Sequence, residues 1–97
     1  MAASDPDVRL LQALADPVRL SVVRQLAAKG RPICACDFME CCTVSQPTIS
    51  HHLRVLREAG VIRGERHGSF IFYALDENLA LRWRDIGQTL SGLLAVA

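Results

Sequence analysis

Residues 45–60 of the chain read SQPTISHHLRVLREAG, a stretch that carries the local signals of one amphipathic helix. Ser45 is suited to cap the N-terminus, Pro47 is tolerated in the first turn, and Gly60 is a stop signal. Between them, apolar residues recur after four and then three residues, the spacing of one helical face: Ile49, Leu53 and Leu56. The stretch is therefore predicted to form a helix with one buried face.

The residues before this helix predict a shorter one. Asp37 is suited to cap a helix that runs through about Cys42, and residues 43–45 have the composition of a tight turn. Two longer helices are predicted upstream, because Asp5-Pro6 and Asp16-Pro17 each place an N-cap residue before a proline. Gly30 and Pro32 end the second of these.

The periodicity changes after Gly60. Strands are predicted from Val61 to Glu65 and from Ser69 to Leu75, with a hairpin tip at residues 66–68. Asp76 is expected to cap a last helix, whose apolar residues are spaced by four and three in alternation: Leu79, Trp83, Ile86, Leu90 and Leu93. The predicted fold is mainly α with a β-hairpin wing (α+β), a winged helix-turn-helix in a single domain over residues 1–97.

Composition supports this fold class. The chain has 97 residues, of which 51% are hydrophobic and only 5% aromatic, as in a helical core of aliphatic side chains. No apolar run approaches the roughly 18 residues of a membrane span. Asp5 and Asp7 at the N-terminus are unlike a secretory signal, so a cytoplasmic protein without a membrane partner is expected.

The exposed face of the 45–60 helix is suited to reading DNA. On a helical wheel His51 and Arg54 lie opposite the apolar stripe, whereas His52 turns toward it and is expected to pack half-buried. Residues 44–68 carry four arginines against two glutamates, a local positive charge in a chain of net charge +1. Double-stranded DNA contacts are predicted from the helix and the wing: Gln46, Thr48, Ser50, His51, Arg54, Arg57, Arg63, Arg66 and His67.

Two stretches resemble the ArsR/SmtB family of metal-responsive repressors. They are LADPVRL at residues 14–20 and the 45–60 helix itself. The resemblance implies a homodimer joined by the first and last helices, which binds an imperfect palindromic operator and releases it when an inducer binds. Candidate dimer residues are Leu11, Leu79, Trp83, Ile86, Leu90 and Leu93. The same helix serves a repressor or an activator, so the direction of regulation stays open.

Four cysteines lie within nine residues: Cys34, Cys36, Cys41 and Cys42. In a reducing compartment such a cluster indicates a metal or redox site. Residues 33–38, ICACDF, are similar to the arsenite-sensing motif of the family, which implies Cys34 and Cys36 as ligands of arsenite or antimonite. A cysteine just before a helix start is also expected to have a lowered pKa, which favours the thiolate of Cys36.

The third ligand and the signal remain open. The family motif has a third cysteine where this chain has Met39. Cys41 is the predicted substitute, with Cys42 or the Met39 thioether as alternatives, and Cys41 and Cys42 also suit small packing positions. Zinc, cadmium, nickel or thiol oxidation are alternative signals. The last helix has Asp85 but no histidine, so the family's other metal site is not expected.

A thiol enzyme is the competing functional class. Cys34 or Cys36 would then be a nucleophile, which needs a base and a pocket for a substrate. No histidine lies near the cluster in sequence, and 97 residues leave little room for a cleft. We therefore expect no enzymatic activity and no small-molecule substrate.

Overall fold

The computed structural model describes residues 5–39 and 45–96, with only the backbone of Met39 and of residues 93–96. Cys41, Cys42 and most of the predicted tight turn lie outside this range, and so does the side chain of Leu93. Within it, the elements follow the order helix, helix, short strand, 3-10 helix, helix, two strands and a last helix.

The two upstream helices begin where their Asp-Pro pairs predict. Helix α1 spans Pro6–Leu14, and Asp5 caps it by accepting a hydrogen bond from the N–H of Asp7. Helix α2 spans Pro17–Lys29, and the Asp16 carboxylate accepts from the N–H groups of residues 18 and 19. Gly30 ends α2 in the left-handed conformation, with a φ of 65°.

The segment after α2 differs from its prediction. Strand β1, Ile33–Cys34, is followed by a 3-10 helix over Ala35–Met39, so Asp37 lies inside a helical turn and is not an N-cap. We call residues 31–39 the thiol segment. A strand of two residues has no periodicity to reveal it. It forms because the strand that contains Phe72 and Tyr73 supplies its hydrogen-bond partners.

The wing hairpin consists of β2, Ile62–His67, and β3, Phe70–Leu75. His67 pairs with Phe70, so the turn contains only Gly68 and Ser69, and the predicted tip at residues 66–68 is wrong by one to two residues. Strand β3 also pairs with β1, opposing Ile33 to Tyr73 and Cys34 to Phe72. The three-stranded antiparallel sheet therefore has the order β1-β3-β2.

Helix α3 spans Gln46–Glu58 and has the predicted cap and buried stripe. The Ser45 hydroxyl accepts from the N–H of Thr48, while Ile49, Leu53 and Leu56 are at most 2% exposed. These three side chains pack in one core with fully buried residues from α1, α2, the 3-10 helix and the start of the wing: Leu10, Val22, Phe38, Val61 and Ile62. The prediction of this helix is confirmed.

Helix α4 spans Leu79–Val96 and starts two residues later than predicted. Asp76 accepts from the N–H of Asn78 and so stabilises the turn before the helix instead of capping it. The predicted apolar stripe divides, because Leu79 and Ile86 pack against the core whereas Trp83 and Leu90 are 49% and 60% exposed. No helix in the described part of the chain has the length and apolarity to cross a membrane.

Candidate nucleic-acid interface and the adjoining thiol pair

Helix α3 presents a polar face that its neighbours leave open. Five of the six candidate DNA-contacting side chains on this helix are exposed: Gln46, Ser50, His51, Arg54 and Arg57. The sixth, Thr48, is half-buried, and its hydroxyl forms a 2.9 Å hydrogen bond with that of Ser45. Thr48 therefore takes part in the N-cap, and a contact with DNA would have to compete with this bond.

The wing places its three candidate residues at two separate points. Arg66 and His67 are exposed beside the turn, and the His67 ring stands edge-on to Phe72 with centroids 5.5 Å apart. Arg63 lies at the opposite end of β2, about 13 Å from His67 at the rise of a strand. Its guanidinium is 3.3 Å from a Glu77 carboxylate oxygen in an exposed ion pair, an arrangement that stabilises proteins little.

The N-terminal half of α3 lies next to the wing turn and the thiol segment. Gln46 and Ser50 line one surface cavity of about 390 Å³ together with Ser69 and Phe70 of the wing and with both described cysteines. The polar face of α3 and the tip of the wing are therefore neighbours. The cysteines adjoin both of them.

His52 lies on the opposite side of α3 and has the half-buried packing position that its wheel angle predicts, with 13% of its side chain exposed. The guanidinium of Arg19 is 3.1 Å from its Nδ1. Because arginine only donates, Nδ1 must be the acceptor and the neutral ring carries its proton on Nε2. Burial lowers the pKa of His52, partly opposed by the Asp16 carboxylate at 3.9 Å.

The two described cysteines form a close pair. Cys34 in β1 is buried, Cys36 in the 3-10 helix is exposed, and their sulfur atoms are 2.7 Å apart. The hydrogen bond with Cys34 raises the pKa of the Cys36 thiol from 9.0 to about 11, and desolvation and the charge of Asp37 act in the same direction. The expected lowered pKa is wrong, chiefly because the Cys36 thiol is hydrogen-bonded to Cys34.

The donor set of this pair suits a soft ion. Cysteine sulfurs bind thiophilic ions in preference to hard cations once they lose their protons, and two of them converge here. No group of three potential metal-ligating side chains occurs within residues 5–39 and 45–96. The predicted third ligand Cys41 and its alternatives, Cys42 and the Met39 thioether, lie outside the described side chains.

The first and last helices carry exposed apolar side chains. In α1, Leu11 is 42% exposed, and in α4 the values are 53% for Leu81, 49% for Trp83 and 60% for Leu90. Leu81 was missed in the sequence, because it falls between the positions of the four-three spacing. Of these four residues, Trp83 also lines a groove of about 430 Å³, whose almost wholly apolar lining includes Leu14, Leu20, Val23 and Leu79.

A family model and several known proteins match this chain. The model described as "Bacterial regulatory protein, arsR family" matches residues 16–63. The HTH-type transcriptional repressor SmtB of Mycobacterium tuberculosis is 44% identical over 72 residues, or 73% of this chain and 52% of that protein. The transcriptional repressor SdpR of Bacillus subtilis is 40% identical over 67 residues, or 69% of this chain and 72% of that protein.

A third relative is the arsenical resistance operon repressor of Escherichia coli, 36% identical over 72 residues, or 74% of this chain and 61% of that protein. A crystal structure of an ArsR family transcriptional regulator matches with a TM-score of 0.80, covering 92% of this chain and 90% of that chain at 21% identity. The fold is thus a winged helix-turn-helix. The chain belongs to the arsR family of bacterial regulatory proteins, and it spans about half the length of SmtB.

Proposed function

We propose that the chain is a transcriptional repressor of the cytoplasm that binds a palindromic operator as a homodimer. A thiophilic inducer such as arsenite or antimonite, bound by the cysteines, would release it from the operator. The observation that carries the proposal is the shared cavity, because one surface recess joins the thiol pair to the polar face of α3 and to the tip of the wing.

DNA binding follows from the charge and exposure of two elements. Helix α3 would enter the major groove with Gln46, Ser50 and Arg54 toward base edges, since amide, hydroxyl and guanidinium groups pair with them. Arg66 and His67 at the wing would contact the phosphate backbone. Their exposure supports these roles, and the paired Arg63 would add less than the others.

Dimer formation would cover the exposed apolar residues of α1 and α4. Leu11 lies on α1, Trp83 and Leu90 lie on α4, and Trp83 also lines the apolar groove. Large exposed apolar patches on a small protein favour a partner surface. A dimer would place two α3 helices on successive half-sites, one DNA turn apart. Leu79 and Ile86 would contribute indirectly, because they anchor α4 to its own domain.

Inducer binding would act on the thiol segment. Each sulfur–arsenic bond forms as one arsenic–oxygen bond breaks, and the thiol proton leaves with that oxygen as water. One ion bound by both sulfurs would fix β1 and the 3-10 helix relative to each other, since Cys34 lies in the first and Cys36 in the second. Because β1 is hydrogen-bonded to β3 and both cysteines adjoin α3, a change in the thiol segment would reach both elements proposed to contact DNA. Cys41 would supply the third thiolate.

Thiol oxidation is the second candidate signal, and the short distance between the Cys34 and Cys36 sulfurs favours it. Two thiols and one peroxide give a disulfide and two waters, with the sulfurs oxidised and the peroxide oxygens reduced. Zinc, cadmium or nickel would use the same two sulfurs without a redox change.

The test begins with DNA duplexes that the reduced wild-type protein enriches from a random-sequence library. Fluorescence anisotropy then follows release on addition of arsenite, antimonite, cadmium, zinc, nickel or peroxide. We expect arsenite or antimonite to release the DNA near stoichiometry from the wild type and from Cys42→Ser, and not from the double variant C34S/C36S. Equal release from the double variant would refute the thiol mechanism, and failure to enrich a palindrome would refute the operator mode.

A further inference from the structure

The C-terminal end of α3 is held by an arginine of α4. The Arg82 guanidinium donates from Nη1 to the carbonyl of Ala59, the C-cap of α3, at 2.9 Å. The same group donates from Nη2 to the carbonyl of Pro6, the first residue of α1, at 3.0 Å. One partly buried side chain therefore joins three helices, among them both of the proposed dimer helices.

A second arginine acts at the same end. Arg9 of α1 donates from Nη2 to the carbonyl of Glu58 at 3.2 Å. The last carbonyls of a helix lack partners within the helix and form the negative end of its dipole, so two cations bind there favourably. Both arginines approach α3 from the helices that carry the exposed leucines.

Gly60 makes this approach possible. Its φ of 78° allows the chain to leave α3 sharply, and a Cβ atom at this position would lie only 2.7 Å from Arg82 Nη1. The stop signal of the sequence thus has a second role, because any side chain here would displace the guanidinium from the Ala59 carbonyl.

We infer that Arg82, assisted by Arg9, is a positioning residue that sets the direction of the recognition helix relative to the dimer interface. This inference rests on the proposed function, since it needs a dimer that reads two half-sites. Arg82 stands between Leu81 and Trp83, which are 53% and 49% exposed and would face the partner. Any shift of α4 at the interface is therefore transmitted directly to the end of α3.

The length of α3 turns a small rotation at this contact into a large displacement of its N-terminal end. Helix α3 has 13 residues, and at 1.5 Å per residue it is about 20 Å long. A rotation of about 10° at its C-terminal end moves the N-terminal end by about 3.5 Å, close to one base step of roughly 3.4 Å. Gln46, at that N-terminal end, would then miss its base while the helix itself remains intact.

The test compares Arg82→Gln with wild type on the enriched palindrome and on duplexes with one base pair added or removed between half-sites. For wild type we expect affinity to fall about tenfold or more at the altered spacings. Arg82→Gln should lose about tenfold at the original spacing, as expected when hydrogen bonds to a charged group are removed. Its affinities at the three spacings should then agree within about threefold.

Controls separate positioning from general structure. Arg84→Gln removes an exposed arginine of the same helix and should keep the wild-type spacing profile. Arg82→Lys keeps the charge and one donor group and should fall between wild type and Arg82→Gln, and Arg9→Gln should give a smaller effect in the same direction. If Arg82→Gln does not fold, the last two variants decide the question.

Three outcomes would overturn the inference. If Arg82→Gln lowers the affinity by the same factor relative to wild type at every spacing, the spacing preference is unchanged and Arg82 is a structural residue only. A monomeric Arg82→Gln in sedimentation would assign it to the interface itself, and an unchanged profile would give it no role. If the wild type enriches no palindrome, the proposed function fails, whatever the variants do.

Discussion

Helix α3 and the thiol segment lie next to each other, but one is formed by local sequence signals and the other by contacts with a distant strand. The helix has its cap, its buried stripe and its stop within residues 45–60, so its structure follows from local signals. The thiol segment at residues 31–39 has a two-residue strand whose hydrogen-bond partners lie about forty residues away in β3. The element proposed to contact DNA thus takes its structure from its own sequence, whereas the element proposed to sense the signal depends on the rest of the fold.

The largest effect should come from removing the anchor of the thiol segment. Phe38 is fully buried, and Phe38→Ala should lower the free energy of unfolding by about 3–5 kcal/mol, since it removes a large apolar side chain and leaves a cavity. Phe70 in the wing is 57% exposed, so Phe70→Ala should cost about 0.5 kcal/mol or less. Urea unfolding measures both. Similar costs for the two variants would show that burial does not hold the thiol segment in place.

Removing the N-terminal cap of α3 should have a smaller effect on the free energy of unfolding. Ser45→Ala removes the side chain that caps the N-terminus and should cost about 1 kcal/mol of unfolding free energy. Ser50→Ala, at an exposed interior position of the same helix, should change it by about 0.5 kcal/mol or less, in the stabilising direction. The comparison uses thermal or urea unfolding. A neutral Ser45→Ala would mean that packing, and not the cap, sets the start of α3.

The smallest effect should appear in the pH dependence of stability. Burial lowers the pKa of His52, so the folded protein binds fewer protons than the unfolded chain below the ordinary histidine pKa of 6.5. Stability should therefore fall as the pH drops below about 6.5, because a protonated ring cannot accept from Arg19. The groups facing the ring are Arg19, Asp16 and His51.

The measurement is the urea midpoint of wild type, His52→Gln and His51→Gln between about pH 5 and 7. His52→Gln should flatten the profile, because glutamine offers an acceptor that does not titrate in this range. His51→Gln changes the exposed neighbour and should leave the wild-type slope. An unchanged slope in His52→Gln would assign the pH dependence to another group.

Most of the helical structure was predictable from the sequence. The starts of α1 and α2, the left-handed end at Gly30 and the whole of α3 are governed by contacts within a few residues. The same reasoning predicted the wing strands but misplaced their turn, because only the pairing of His67 with Phe70 fixes the register. It also treated the apolar stripe of α4 as one surface, although spacing alone does not say which residues meet the protein's own core.

Residues 45–60 are enough to define the helix α3 and the family, since cap, stripe and motif are local and contiguous. The placement of the thiols, in contrast, follows from contacts between distant parts of the chain. Strand β1 exists because β3 pairs with it, and that pairing sets Cys34 beside Cys36 and next to the cavity shared with α3 and the wing. Only the fold brings Arg82 to the end of α3, because a hydrogen bond between residues 23 positions apart has no trace in a local pattern.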